Sequence, residues 1–225
     1  TFERFIDHTQ EKEEGYLYSI KSHFDDIGKG FKYLINEKGI WNVYWFFVVM
    51  MFADGISVLI YPFFDQSSTL TVLDYSLLLS FQSAGYMFGG FVHYFVKIPT
   101  QWRYGISVIV YFAFAIFGGA LFFMPFALML ASKFILGIMG MNSANIRITS
   151  INDYIDTNMR GRLNAVFQTM VSVSMLFGQL VAGWLGEFVP IKYISVLYGA
   201  IIGMGIIFFV LRKQTEIEFL YNREV

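Results

Sequence analysis

Six long apolar runs, separated by short polar breaks, organise this sequence. They lie at about Ile40–Tyr61, Val72–Phe95, Tyr104–Phe122, Pro125–Ile146, Leu163–Leu185 and Ile191–Leu211. Roughly 20 mostly apolar residues in a helix cross the hydrocarbon core of a bilayer, and each run reaches that length. The third and fourth runs form one stretch, Tyr104 to Ile146, in which Lys133 is the single charged residue. At 1.5 Å per residue that stretch would extend about 65 Å as one helix, twice the core thickness, so it must turn. Gly118-Gly119 and Pro125 bracket the turn, because proline lacks an amide donor and disfavours helix just before it. The segment "FDQSSTLTVLD" offers Ser67, Ser68 and Thr71 as caps, "KIPTQWR" carries a proline, "NDYIDTNMRGR" is strongly polar, and "GEFVPIK" is short.

Ahead of the first run lies a charged lead-in. Within "SHFDDIGKGFKYLI", Phe24, Ile27, Phe31, Leu34 and Ile35 recur at helical spacing, and Asp25 follows Ser22 as in a modest capping signal. This predicts an amphipathic surface helix feeding the first span. The expected organisation is a lead-in over residues 1–38, a six-helix bundle over 39–212 and a cytoplasmic tail over 213–225. The opening "TFERFIDHTQ", polar and without methionine, fits a chain cut from something longer or a processed terminus.

Composition agrees with the pattern. The 225 residues are 56% hydrophobic and 15% charged, too little charge to cover a soluble domain of this size. The fold class expected is an all-α, multi-spanning membrane protein. With no cysteine, thiol catalysis and cysteine-ligated metal are excluded. There is no phosphate-binding loop, no HExxH and no serine–histidine–acid set, and His8, His23 and His93 are scattered, so neither an enzyme nor a cofactor is expected. A net charge of -1 gives no reason to expect nucleic acid.

The basic residues orient the chain. If the lead-in is cytoplasmic, all but Lys133 and Lys192 of the 16 lysines and arginines fall in inner segments. Both ends of the chain are then cytoplasmic. Trp41, Trp45, Trp102 and Trp184, near the ends of spans, are expected as interface anchors.

Six spans, a cytoplasmic lead-in and basic inner loops resemble the C-terminal half of a major facilitator superfamily transporter. "MRGRLNAVFQTM" (Met159–Met170) resembles the loop and helix start between the tenth and eleventh spans of bacterial drug-efflux members, including macrolide-type exporters. "GQLVAGWLG" (Gly178–Gly186) resembles the glycine-rich part of their eleventh span. One segment departs from the family: "GGFVHYFVKIPTQWRY" keeps Gly89 and Gly90, has His93 or Tyr94 near the position of an aspartate, and thins the basic cluster to Lys97 and Arg103. The resemblance implies two six-helix halves around a central cavity that alternates its access. It therefore implies a missing N-terminal half, or a second copy of this chain, together with a small-molecule substrate and membrane lipid as partners. It also implies residence in a bacterial cell membrane.

Intramembrane polar residues are the site candidates. By helix rise, Lys133 lies about 12 Å below the outer start of its span. A lone ammonium there costs about 2.5 kcal/mol or more. Asp54, the single acid between Lys38 and Asp65, falls at nearly the same depth, and the resemblance makes these two spans cavity-lining neighbours. Asp54 and Lys133 are expected to pair, or to share a water-filled site, for proton coupling, for substrate attraction or as a purely structural pair. Asn145 points toward an inner vestibule with Asn142 and Arg147, although Asn142 is expected instead to hydrogen-bond between helices. Gln168 and Gln179 nearly share a face, and either line the cavity or join helices. Gly85, Gly89, Gly178 and Gly183 are expected to allow close helix approach. Asp153, Asp156, Arg160 and Arg162 are expected as a salt-bridged inner latch, or as topology signals alone. The leading reading is half of a proton-coupled antiporter exporting a hydrophobic or amphipathic compound. The alternative is a sensor or scaffold module that keeps the fold without transporting.

Overall fold

The structure, a computed structural model, describes residues 25–95 and 98–223. The expected Ser22 cap, Phe24, Lys97, His8 and His23 lie outside the described residues. Helix α1 covers residues 25–36, with Gly30 and Leu34 buried and Phe31 and Ile35 exposed. After Glu37 the chain enters α2 (Lys38–Ile56), tightens through a 3-10 turn at Ser57–Leu59, and continues as α3 (Ile60–Asp65). The Ser57 hydroxyl donates to the Asp54 carbonyl at 2.6 Å. Such back-bonding competes with the helix ladder and bends it. The irregular stretch therefore begins one turn beyond Asp54.

Helix α4 (Val72–Phe95) opens with a reciprocal cap. The Thr71 N–H donates to Asp74 Oδ2 at 2.8 Å, and the Asp74 N–H donates to Thr71 Oγ1 at 3.3 Å. This satisfies two of the amides that a helix start leaves unpaired. Helix α5 (Arg103–Gly119) ends at the expected glycines, a 3-10 turn follows at Leu121–Phe123, and Pro125 caps α6 (Phe126–Tyr154). At about 44 Å, α6 outruns the hydrocarbon core, as does α7 (Thr157–Phe188) at about 48 Å. Helix α8 (Ile191–Gly205) runs on into a π-helical turn at Ile206–Leu211. Beyond it the tail contains α9 (Gln214–Tyr221), which buries Ile217, Leu220 and Tyr221 under the bundle.

Five of these helical segments are long and apolar enough to cross a membrane: Lys38–Asp65, Thr100–Gly119, Phe126–Tyr154, Thr157–Phe188 and Ile191–Leu211. The remaining expected span is α4, which has 24 residues but is less apolar because it carries Asp74, Ser76, Ser80, Gln82, Ser83 and His93. The outer faces expose Met87, Phe91, Ile116, Leu180 and Phe188, a surface that water would not favour and lipid does.

The helices pack most extensively as three pairs, α4 with α6, α2 with α7 and α5 with α8. Each pair closes on facing glycines: Gly85 with Gly137, Gly55 with Gly178, and Gly119 with Gly199. A methyl on Gly85 would overlap the Phe134 carbonyl oxygen, and one on Gly178 the Phe52 carbonyl oxygen. Gly89 likewise abuts Ile138. Gly183, expected to behave the same way, has no heavy atom near its would-be Cβ and sits on the exposed face of α7. Matching residues show that α2 runs parallel to α7 and α4 parallel to α6, while α5 and α8 are antiparallel. Taking α2, α4 and α5 as one set and α6, α7 and α8 as the other, the pairing is the same after exchange, with direction reversed. This is an inverted three-plus-three repeat.

Trp102 and Trp184 are exposed near helix ends, as interface anchors would be. Trp41 and Trp45 instead form an aromatic column with Phe31 and Phe209, so they pack against protein.

Candidate functional site

A cavity of about 530 Å³ runs down the middle of the bundle, lined by residues of every helix from α2 to α8 except α3's apolar tip beyond Ile60. Its walls are mostly apolar and aromatic. Into it project Asp54 from α2, Lys133 from α6, Gln82 and Tyr86 from α4, Gln168 and Gln179 from α7, and Tyr198 from α8. Asp54 and Lys133 thus reach one space from two helices. They form no direct ion pair: among the described residues, ion pairs occur at Asp26–Lys29, Asp26–Arg162 and Lys213–Glu216. Lys133 is nevertheless the charged neighbour of Asp54, and Tyr198 its hydroxyl neighbour. Gln82 Nε2 donates to the Tyr86 hydroxyl at 3.2 Å on the facing wall.

The positions of these side chains follow from the packing. Asp54 precedes Gly55, and Gln179 follows Gly178, so the tight α2–α7 contact holds both beside the cavity. Lys133 precedes Gly137 by about one turn, and the α4–α6 contact aligns it with Gln82. Polar wall residues therefore ride on the best-anchored parts of their helices.

Two expected residues fall elsewhere. Asn145 is half-buried on α6 and is not part of the cavity wall, since Ala144 and Arg147 take that face. Asn142 joins helices, as expected: its Oδ1 meets His93 Nδ1 at 3.2 Å, and its Nδ2 donates to the Ile138 carbonyl at 2.9 Å.

Asp153, Asp156, Arg160 and Arg162 do not pair with one another. Arg162 Nε donates instead to Asp26 Oδ1 of α1 at 3.0 Å. Asp153 and Asp156 are exposed, and Arg160 lines a second, inner pocket of about 450 Å³. The reason is geometric. The α6–α7 turn is short, and Tyr154 uses its hydroxyl to donate to Glu37 Oε2 at 2.7 Å, so the turn faces the lead-in and not itself. Elsewhere on this side, Asn42 Nδ2 donates to Glu216 Oε2 at 3.1 Å, and Asn222 accepts from the Tyr104 N–H at 3.1 Å. These contacts tie α1 and α9 to the bundle. Tyr33, on α1, has its hydroxyl pKa raised by partial burial and by the nearby Glu37 and Asp156 carboxylates.

Arg147 is the residue that the sequence reading undervalued. It lines both the central cavity and the inner pocket, as does Gln168. Its guanidinium lies 4.0 Å from the Phe167 ring centre and 4.7 Å from that of Phe47. It lies seven residues before the end of α6, four turns past Lys133, and no local signal in the sequence shows that the helix continues so far.

Long apolar helices packed around a cavity with charged and polar walls define a multi-spanning membrane transport protein. The Major Facilitator Superfamily model matches residues 31–224, and the chain belongs to that superfamily, a family of transporters and not of enzymes. No match was found among curated proteins or among solved structures.

Proposed function

We propose that this chain is the C-terminal six-helix half of a secondary active transporter, with α4 as the sixth span and both chain ends on the cytoplasmic side. The observation that carries the reading is the convergence of Asp54 and Lys133 on one cavity, with Gln179 near Asp54 and Gln168 at the Arg147 end. Two opposite charges that share a cavity without locking into an ion pair can change partners at small cost. A carboxyl group in that position takes up or releases a proton as water, substrate or the neighbouring ammonium approaches it. The aromatic and methionine-lined walls suit a hydrophobic or amphipathic substrate. The function proposed is proton-coupled efflux of such a compound, as in the drug-efflux members that Met159–Met170 and Gly178–Gly186 resemble. The companion is a preceding six-helix half or a second copy of this chain, in a bacterial cell membrane. Asp153, Asp156, Arg160 and Arg162 belong to the inner gate in this reading, with Asp26 holding Arg162 in the present state.

The test uses the absence of native cysteine. Met51→Cys and Met175→Cys place thiols on the cavity wall, and Ile135→Cys places one on the exposed outer face. A membrane-impermeant thiosulfonate should label the first two from one side of the membrane, and substrate should change the rate. Cavity thiols inert from both sides would remove the transport reading and favour a sensor or scaffold module.

A further inference from the structure

We infer that Arg147 is an anion-binding residue at the inner end of the cavity, and that the substrate is an amphipathic organic anion. The inference rests on the transport reading for its use of the cavity and adds the substrate's charge. It starts from how the guanidinium is held. Its Cζ lies 4.7 Å from the Phe47 ring centre and 4.0 Å from that of Phe167, and the two ring centres are 5.8 Å apart, so the rings meet it from adjoining sides. Cation–π contact satisfies the face of the ion and leaves its N–H edge unspent. The Nε–H is buried and has no hydrogen-bond partner. No carboxylate among the described residues pairs with this guanidinium.

The neighbouring groups leave the Nε–H without a partner. Tyr44, Tyr111 and Tyr221 are the neighbouring hydroxyls. Tyr44 donates to the Leu163 carbonyl at 3.3 Å, and Tyr111 and Tyr221 hydrogen-bond each other at 3.4 Å. Among the described residues Asp54 is the one acid on the cavity wall, and it lies at the level of Lys133. Along α6, Lys133 and Arg147 are about 21 Å apart. The described residues therefore give this wall two cations and one anion, with the unbalanced charge at the Arg147 end.

A charge drawn into a low-dielectric space is costly unless a partner compensates it. A guanidinium that served only to orient the chain would reach toward headgroups and water. This one lies against two aromatic rings and lines both the central cavity and the inner pocket. Arginine fixed in that way is preorganised for a carboxylate, sulfonate or phosphate, which it engages through parallel hydrogen bonds. The body of the ligand would then lie against Phe47, Phe114, Phe167 and Met50, which continue the wall upward. An amphipathic anion fits both parts; a neutral or cationic compound leaves the guanidinium unpaired.

The experiment is equilibrium binding to the full-length protein in phosphatidylcholine nanodiscs, with naphthoate and its uncharged analogue naphthamide as probes. Naphthoate should bind about tenfold tighter or better, the range expected of a charge-assisted hydrogen bond. Arg147→Gln should bring the ratio to about one while naphthamide binding persists, and Arg147→Lys should keep part of it. Equal affinities in the wild-type protein would overturn the inference without any variant, as would an acid from a preceding half already seated on Arg147, which gives the same result. A preference lost in Lys133→Gln but kept in Arg147→Gln also overturns it. So does a preference that disappears in phosphatidylglycerol nanodiscs, because a lipid headgroup then takes the site. Labelled cavity cysteines with equal probe affinities would refute this inference alone. A naphthoate preference with unreactive cysteines would refute transport alone.

Discussion

Gly178→Ala puts the packing that positions Asp54 under direct strain. The added methyl would lie 3.0 Å from the Gly55 Cα and 3.1 Å from the Phe52 carbonyl carbon, and would overlap the Phe52 oxygen. Carbon atoms pack at about 3.5–4.0 Å, so α7 and α2 must part by roughly 0.5–1 Å. Overpacking of this kind costs about 1–3 kcal/mol. Replacing a helical glycine with alanine returns about 1 kcal/mol of propensity, which leaves a net loss of roughly 0–2 kcal/mol. Gly183→Ala is the matched control: it lies on the same helix and meets no atom, so it should keep the propensity gain alone. For a chain of this size 1 kcal/mol shifts the midpoint by about 2–4 °C, so the two variants, which differ by the overpacking cost alone, should differ by roughly 2–12 °C in thermal unfolding in detergent. Gly178→Ala should also slow labelling or binding in the cavity, because the backbone beside Asp54 moves. A Gly178→Ala midpoint equal to or above that of Gly183→Ala would refute the close glycine contact.

Two further outcomes test the charged wall and the inner face. Asp54→Asn and Lys133→Gln should each reach the membrane at normal levels yet lose substrate-driven proton movement in vesicles, and the exchange Asp54→Lys with Lys133→Asp should not restore it. Recovery of transport in the exchanged protein would make the pair structural. On the inner face, Tyr221→Ala removes a fully buried ring and should cost about 3–5 kcal/mol locally, loosening α9. Trypsin should then cut faster after Lys213, which is half-exposed at the start of that helix, while the bundle stays intact. An unchanged cleavage rate would mean that α9 is held by something other than its buried side chains.

How much of this was legible in the sequence depended on the range of the interaction. Spans are local: twenty apolar residues announce themselves, and Gly118, Gly119 and Pro125 mark the reversal between α5 and α6 without help from the rest of the chain. The meeting of Asp54 and Lys133 in one cavity followed from depth along two helices combined with a family likeness. Their failure to pair directly depends on side-chain placement that periodicity does not carry. The basic pattern groups Arg147 with the inner residues because nothing nearby in the sequence shows that α6 continues to Tyr154, or that Phe47 and Phe167 reach it from two other helices. Asp26 takes the place of Asp153 and Asp156 as the partner of Arg162 for the same reason, since α1 folds back against the start of α7. The glycines make the point most sharply. Gly178 and Gly183 sit one turn or so apart in the same glycine-rich motif, yet one is wedged against α2 and the other faces outward. The three facing glycine pairs relate the two halves of the bundle, but loops of different length separate the equivalent positions, so no sequence period reveals them. The repeat becomes visible only as a pattern of contacts. That pattern places Asp54 and Lys133 beside matching glycines, Gly55 and Gly137, on opposed helices of the two repeats, which makes the charged wall a product of the internal symmetry and not of either helix alone.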